Sequence, residues 1–273
     1  MIWKKHYWIP PEHGTWFMWL GPLLTGILAA GRLNADLAGL IALILAAFLA
    51  RQPMTIAFKA LVRRRPPGDL LPAGIVLAIL GGLSVILLAW MLARGHIYLM
   101  WLGLASLPVL AWQLLLVAKR EERQMGIELV GAGVLALAAP AAFWVVLGEA
   151  APAGWWLWAL SWLYAAASIV LIYLRLEQRR WSERPPGLEC LQRGARVLLY
   201  AITNLAIAGI LVLVGLAPPL AWLGFALAVP HVFSGVILPA VRVRPARIGL
   251  EQALATLVFS ILLGLSYLPG WRG

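Results

Sequence analysis

Nine stretches of this sequence are each close to 20 residues long, almost wholly apolar and nearly free of charge. A water-soluble chain of 273 residues has too little interior to hide them all. A bilayer accepts such stretches as helices, because lipid is then the solvent. They run roughly over 15–31, 35–51, 70–93, 97–118, 127–147, 155–175, 197–216, 218–238 and 248–268. Helix breakers part them: Arg32 to Asn34, Pro66 to Gly68, Arg94-Gly95, Ala151 to Ala153, Pro185 to Gly187 and Pro218-Pro219. Only a few residues divide the seventh stretch from the eighth, so these two read as a tight hairpin or as one broken element. Composition agrees, with 63% hydrophobic against 12% charged residues and a mean hydropathy of +0.88. The expected fold is an all-α polytopic membrane helix bundle of eight or nine transmembrane helices, forming one domain over residues 1–273.

The charges orient this bundle. Nineteen of the 22 lysines and arginines fall in alternate connections. One side receives Lys4, Lys5, Arg51, Lys59, Arg63 to Arg65, Lys119, Arg120, Arg123, six arginines between 175 and 196, and Arg242, Arg244 and Arg247. The other receives only Arg32, Arg94 and Arg272. Short loops rich in Lys and Arg resist translocation, so the basic side is cytoplasmic and holds the N-terminal segment 1–14 and the loop 176–196. That loop is the longest soluble piece and has room for a short amphipathic helix. Trp90, Trp101, Trp155, Trp156, Trp222 and Trp271 fall near the opposite interface, where indole rings favour the headgroup level. The net charge of +11 is then a matter of topology and anionic headgroups, with membrane lipids as partners and no nucleic acid. Lys4 and Lys5 precede an apolar run, but Glu12, His13 and Gly21-Pro22 fit a retained first helix better than a cleaved signal. The cell membrane is the expected location.

Against this apolar background the polar residues are the candidate site. Glu12, His13 and Trp16 open the first helix behind Pro10-Pro11; a carboxylate there suits the helix dipole, and His13 and Trp16 lie about one turn apart. Gly21-Pro22 offers a kink. Arg51, Thr55, Lys59 and Arg63 are spaced by four, a basic stripe if helical, although Pro53 interrupts the second helix. No acidic residue occurs between Asp36 and Asp69, the only two aspartates, so Arg51 and Lys59 are candidates for holding a phosphate or carboxylate. Glu121 and Glu128 share a helical face, with Lys119, Arg120 or Arg123 as local ion-pair partners; a carboxylate at a membrane helix end is a functional candidate. Tyr173 and Arg175 end the sixth helix, Asn204 lies in the seventh, and His231 follows Pro230 in the eighth, where a hydrogen-bonded packing role outweighs metal binding. Glu251 reads as interfacial. The single cysteine, Cys190, excludes a disulfide within the chain and a CxxC redox pair. There is no P-loop, GxSxG, HExxH or dinucleotide fingerprint, so no cofactor and no metal is expected.

Pro11 to Trp16, then Gly21-Pro22 and Gly26, resemble the N-terminal signature of YwiC-like membrane proteins. Leu49 to Pro53 and the stretch Arg120 to Glu128 are similar too, and the resemblance thins after residue 180. It implies membership of a membrane family without supplying an activity. More distantly, nine spans with polar residues at the cytoplasmic helix ends resemble the layout of UbiA-type prenyltransferases, which implies a UbiA-like arrangement. That family holds Mg²⁺ and a polyprenyl diphosphate with Asp-rich motifs. Here Arg51, Thr55 and Lys59 stand at the place of the first motif, and neither Asp36 nor Asp69 can supply one. Carboxylates are what a Mg²⁺-bridged diphosphate requires, so conventional prenyl transfer is not expected.

The reading that follows is a cytoplasm-facing cavity that binds an anionic amphiphile: a lipid, an isoprenoid phosphate or a quinone-like precursor. His13, Arg51, Lys59, Arg120 and Arg175 would hold the anion, and Glu12, Trp16, Glu121, Tyr173 and His231 would line the polar cavity. His13 and Glu128 are the groups that could move a proton if chemistry occurs. A permease for a small anion or metabolite and an accessory or scaffold protein are the alternatives.

Overall fold

The computed structural model describes residues 4–10, 14–119 and 125–268. Glu12, His13, Arg120, Glu121, Trp271 and Arg272 therefore lie outside the described residues. The described residues are mostly helical, and the helices follow the apolar stretches. They are α1 (Lys5–Trp8), α2 (Gly14–Ala30), α3 (Asp36–Leu61), α4 (Leu70–Ala93), α5 (Tyr98–Lys119), α6 (Met125–Ala136), α7 (Ala138–Leu147), α8 (Ala153–Gln178), α9 (Gly187–Leu213), α10 (Ala221–Ile237) and α11 (Pro245–Ser266). Among the described residues seven spans are long and apolar enough to cross a bilayer, with α6 and α7 together making one of them. Helices α2 and α10 are apolar but only 17 residues long. That is the lower limit for a crossing, roughly 25 Å at about 1.5 Å per residue. The chain is a multi-pass membrane protein.

Two boundaries differ from the expectation, and one open choice is decided. Helix α3 continues through Pro53 to Leu61, so Arg51, Thr55 and Lys59 are helical, while Arg63 is not. Membrane helices tolerate an interior proline because neighbours can satisfy the freed carbonyl. Helix α9 starts at Gly187, directly after Pro186, and leaves only residues 179–186 between it and α8. Its first turns are amphipathic rather than uniformly apolar, with Glu189 paired to Arg193 one turn on. The seventh and eighth stretches are two separate helices, α9 and α10.

The chain forms two compact units. The first contains α1 and the segments 33–134 and 144–150. Its centre is the antiparallel pair α3 and α4. Lipid supplies no hydrophobic drive between such helices, so close packing over small residues must hold them. Gly39 provides it: a Cβ there would lie 2.1 Å from the Trp90 ring. Tyr7 of α1 is buried with Ile56, Ala57, Ala73 and Val76. Its hydroxyl donates to Asp69 Oδ1 at 2.7 Å, and Gln52 Nε2 donates to the His6 carbonyl at 3.1 Å. Asp69 also pairs with Arg65, and Arg64 donates to the Val117 carbonyl at the end of α5. Just past α3, Arg63 takes a left-handed φ of +56°, and the Arg64 amide closes the turn onto the Lys59 carbonyl.

The second unit contains the segments 14–32, 135–143 and 151 onward. Helix α8 runs through it and packs on α2, α9, α10 and α11. The Tyr164 ring stacks on Phe259 at 3.7 Å between centroids, and Phe225 meets Phe259 edge-on. Gly26 brings α2 against α7 so closely that a Cβ would sit 2.1 Å from the Ala139 carbonyl oxygen. Thr25 Oγ1 bonds the Gly21 and Ser260 carbonyls, and Asn204 Nδ2 bonds the Leu163 carbonyl.

Candidate functional site

Helix α10 ends at Ile237 on a Leu238-Pro239 step, and its last carbonyls have no amides to receive. Side chains from α8 and the following loop supply the donors. Arg175 Nη1 bonds the Leu238 carbonyl at 2.7 Å and reaches Gly235 at 3.5 Å. Gln178, 1% exposed, donates to Gly235 at 3.1 Å and accepts from the Ala240 amide at 3.0 Å. Arg184 donates to the Ile237 carbonyl at 3.0 Å. Cations here also suit the negative end of the α10 dipole.

The same arginine closes an ionic chain to α11. Arg175 Nη2 meets Glu251 Oε2 at 3.1 Å, and Arg247 Nε meets Glu251 Oε1 at 3.0 Å. Two guanidinium groups thus share one carboxylate, which leaves a positive charge. Of the five guanidinium N–H groups of Arg175, these contacts use three. The other two N–H groups make no hydrogen bond to the described residues.

Around this chain lies a pocket of about 410 Å³, formed by residues of α8, α10, α11 and the 238–243 loop, and including Arg175, His231, Ser234, Arg247, Glu251 and Gln252. A second cavity of about 380 Å³ runs between α10 and α11. Its walls are apolar, with Leu227, Leu254, Val258, Phe259 and Leu262. His231 and Glu251 line both. A polar chamber therefore adjoins an apolar groove across one histidine and one carboxylate. That arrangement suits a molecule with a charged head and a hydrocarbon tail.

Two of the expected site residues, Arg175 and His231, meet in this pocket. Glu12, His13, Arg120 and Glu121 lie outside the described residues, and the remaining ones do not line it. Trp16 packs beside Trp19 on α2, and Tyr173 is half-buried on α8. Arg51 and Lys59 are half-buried on α3 in the first unit, and Glu128 is exposed in the first turn of α6. Sequence reasoning missed Gln178, Arg247 and Gln252, and it took Glu251 for an interfacial residue. The one available signal was the spacing of Arg247 and Glu251 by a helical turn.

A family model described as YwiC-like protein matches residues 9–143. The pocket, built from residues 171–252, lies outside that stretch. No curated protein and no solved structure matches the chain, so the likeness to UbiA-type enzymes rests on sequence layout alone.

Proposed function

From a chain that belongs, through residues 9–143, to the YwiC-like family of membrane proteins, we propose an amphiphile-binding protein of the cell membrane, with its basic face and pocket toward the cytoplasm. The polar chamber receives an anionic headgroup of a lipid, isoprenoid phosphate or quinone precursor, and the α10–α11 groove receives the tail. The observation that carries this reading is the shared boundary of chamber and groove at His231 and Glu251. Arg175 clamps the anion with its remaining N–H groups, and Arg247 adds charge at the mouth. In the first unit Arg51 and Lys59 on α3 form a separate candidate site for an anionic headgroup. The positive-inside distribution supports the orientation.

The test is lipid retention after transfer to nanodiscs made of equal parts phosphatidylglycerol and phosphatidylcholine. Native mass spectrometry should find phosphatidylglycerol retained preferentially by the wild type. Arg175→Ala should cut that preference about tenfold, equivalent to about 1.4 kcal/mol, and His231→Leu should also reduce it. Equal retention of both lipids by wild type and both variants overturns the reading. Counterflow of a small anion in proteoliposomes, with no lipid preference, would favour a permease instead.

A further inference from the structure

The first unit holds a polar cluster of its own at the turn between α4 and α5. Helix α4 ends at Ala93, and Gly95 just beyond its Arg94 cap has a φ of +93°; the Gly95 amide bonds the Leu92 carbonyl and the His96 amide bonds the Met91 carbonyl. This doubly closed turn is the motif in which a glycine follows the helix cap, and His96 is buried, 5% exposed. The His96 Nε2 atom lies 2.9 Å from Asp36 Oδ2 of α3. Its Nδ1 lies 2.6 Å from the Tyr98 hydroxyl of α5, and that hydroxyl lies 2.9 Å from the Trp144 carbonyl of α7. Arg94, half-exposed, faces the other Asp36 oxygen as an ion pair. Asp36, Arg94 and Tyr98 are the ionisable groups facing His96 from α3, the turn and α5; α7 presents a carbonyl.

Counting protons allows two states of this arrangement, with Nε2 donating to the Asp36 carboxylate in both. A carbonyl only accepts, so while the single hydroxyl proton of Tyr98 is spent on Trp144, Nδ1 donates to the Tyr98 oxygen and the ring is an imidazolium. When the hydroxyl proton turns to Nδ1 instead, the ring is neutral. We propose that His96 is a buried proton-binding site, and that loss of its Nδ1 proton turns the Tyr98 hydroxyl from the Trp144 carbonyl to Nδ1. The departing proton is taken up by solvent water. The Tyr98 proton stays on its own oxygen and changes only its acceptor. The Trp144 carbonyl keeps the Gly148 amide at 2.7 Å, so its release leaves no orphaned buried group. Asn34 still holds the next carbonyl, Val145, at 2.8 Å. Asp36 remains balanced by Arg94, and the cluster passes from a net positive charge to neutrality. One proton thereby decides whether α5 grips the end of α7.

The experiment uses the full chain in nanodiscs with ¹⁵N-labelled histidine, assigned by His96→Gln or, if that variant fails to fold, by replacing the other three histidines. Spectra between about pH 5 and about pH 9, the interval in which histidine changes charge, should show His96 passing from imidazolium to the neutral Nε2–H tautomer. Amide exchange in the peptide 144–148, corrected for its intrinsic pH dependence, should rise severalfold over the same interval. In Tyr98→Phe the exchange should stay level. A ring that keeps one protonation state throughout overturns the proposal. So does an exchange response that survives in Tyr98→Phe.

Discussion

Arg175 and Glu251 lie 76 positions apart in the sequence and meet at 3.1 Å, with Arg247 on the opposite oxygen of the same carboxylate. The pair both ties α8 to α11 and sets the charge of the pocket. Removing either partner therefore has two separable effects. Arg175→Ala should lower stability by about 1–3 kcal/mol through lost charged hydrogen bonds, read as a fall in the midpoint of thermal unfolding in detergent. Glu251→Gln keeps a hydrogen-bond acceptor for Arg175 but makes the pocket more positive. It should strengthen retention of an anionic lipid while Arg175→Ala weakens it.

The approach of α2 to α7 at Gly26 leaves no room for a methyl group. Gly26→Ala should cost about 1–3 kcal/mol from overpacking, despite the better helix propensity of alanine. The check is unfolding of the variant beside Gly74→Ala, a helical glycine whose Cβ position meets nothing within 4 Å.

Among the described residues, Arg63 and Arg242 are the two non-glycine residues with positive φ, each in a connection rich in basic residues. A left-handed conformation costs a residue with a Cβ about 1–2 kcal/mol, partly offset by the flexibility a glycine would bring to the unfolded chain. Arg63→Gly should therefore stabilise the protein by about 0.5–1 kcal/mol in thermal unfolding. The arginine at this site sacrifices backbone comfort for charge.

Tyr7 anchors α1 by donating to Asp69, and that bond to a carboxylate, together with burial, raises the phenol above the usual tyrosine range. A raised value in the folded state means that the contribution is complete below the ordinary tyrosine value, about 10. It is lost as pH climbs through the higher folded one. Docking of α1 should thus be level from neutral pH up to about 10 and fail above that. Tyr7→Phe should loosen α1 at every pH by about 0.5–1.5 kcal/mol. Limited proteolysis near residue 10 measures both.

The helices were legible because lipid imposes one requirement along each crossing, an unbroken apolar run, and hydropathy reads it directly. Their ends were less so. The start of α9 is amphipathic, and α3 carries a proline that would break a helix in water, so neither resembles a span interior. Arg175 and His231 stood out because ionisable groups are rare in such helices. Glu251 and Gln178 did not, since their meaning depends on partners 76 and 62 positions away, a matter of how α8, α10 and α11 pack. His96 drew no reading beside the breaker Arg94-Gly95, whereas the glycine turn folds it inward onto Asp36.

The groove between α10 and α11 is flanked by Leu227, Leu254 and Val258, each about half exposed, in helices that traverse lipid. For the proposed amphiphile, such an opening is a side door. A guest entering there never leaves the membrane, so it pays no cost for crossing water, and its supply is set by mole fraction in the leaflet rather than by aqueous concentration. Modest intrinsic affinity then suffices for high occupancy in a native bilayer, and the same door admits detergent monomers in excess. Solubilisation alone would wash the chamber out, which makes the choice of extraction medium part of the chemistry of this protein.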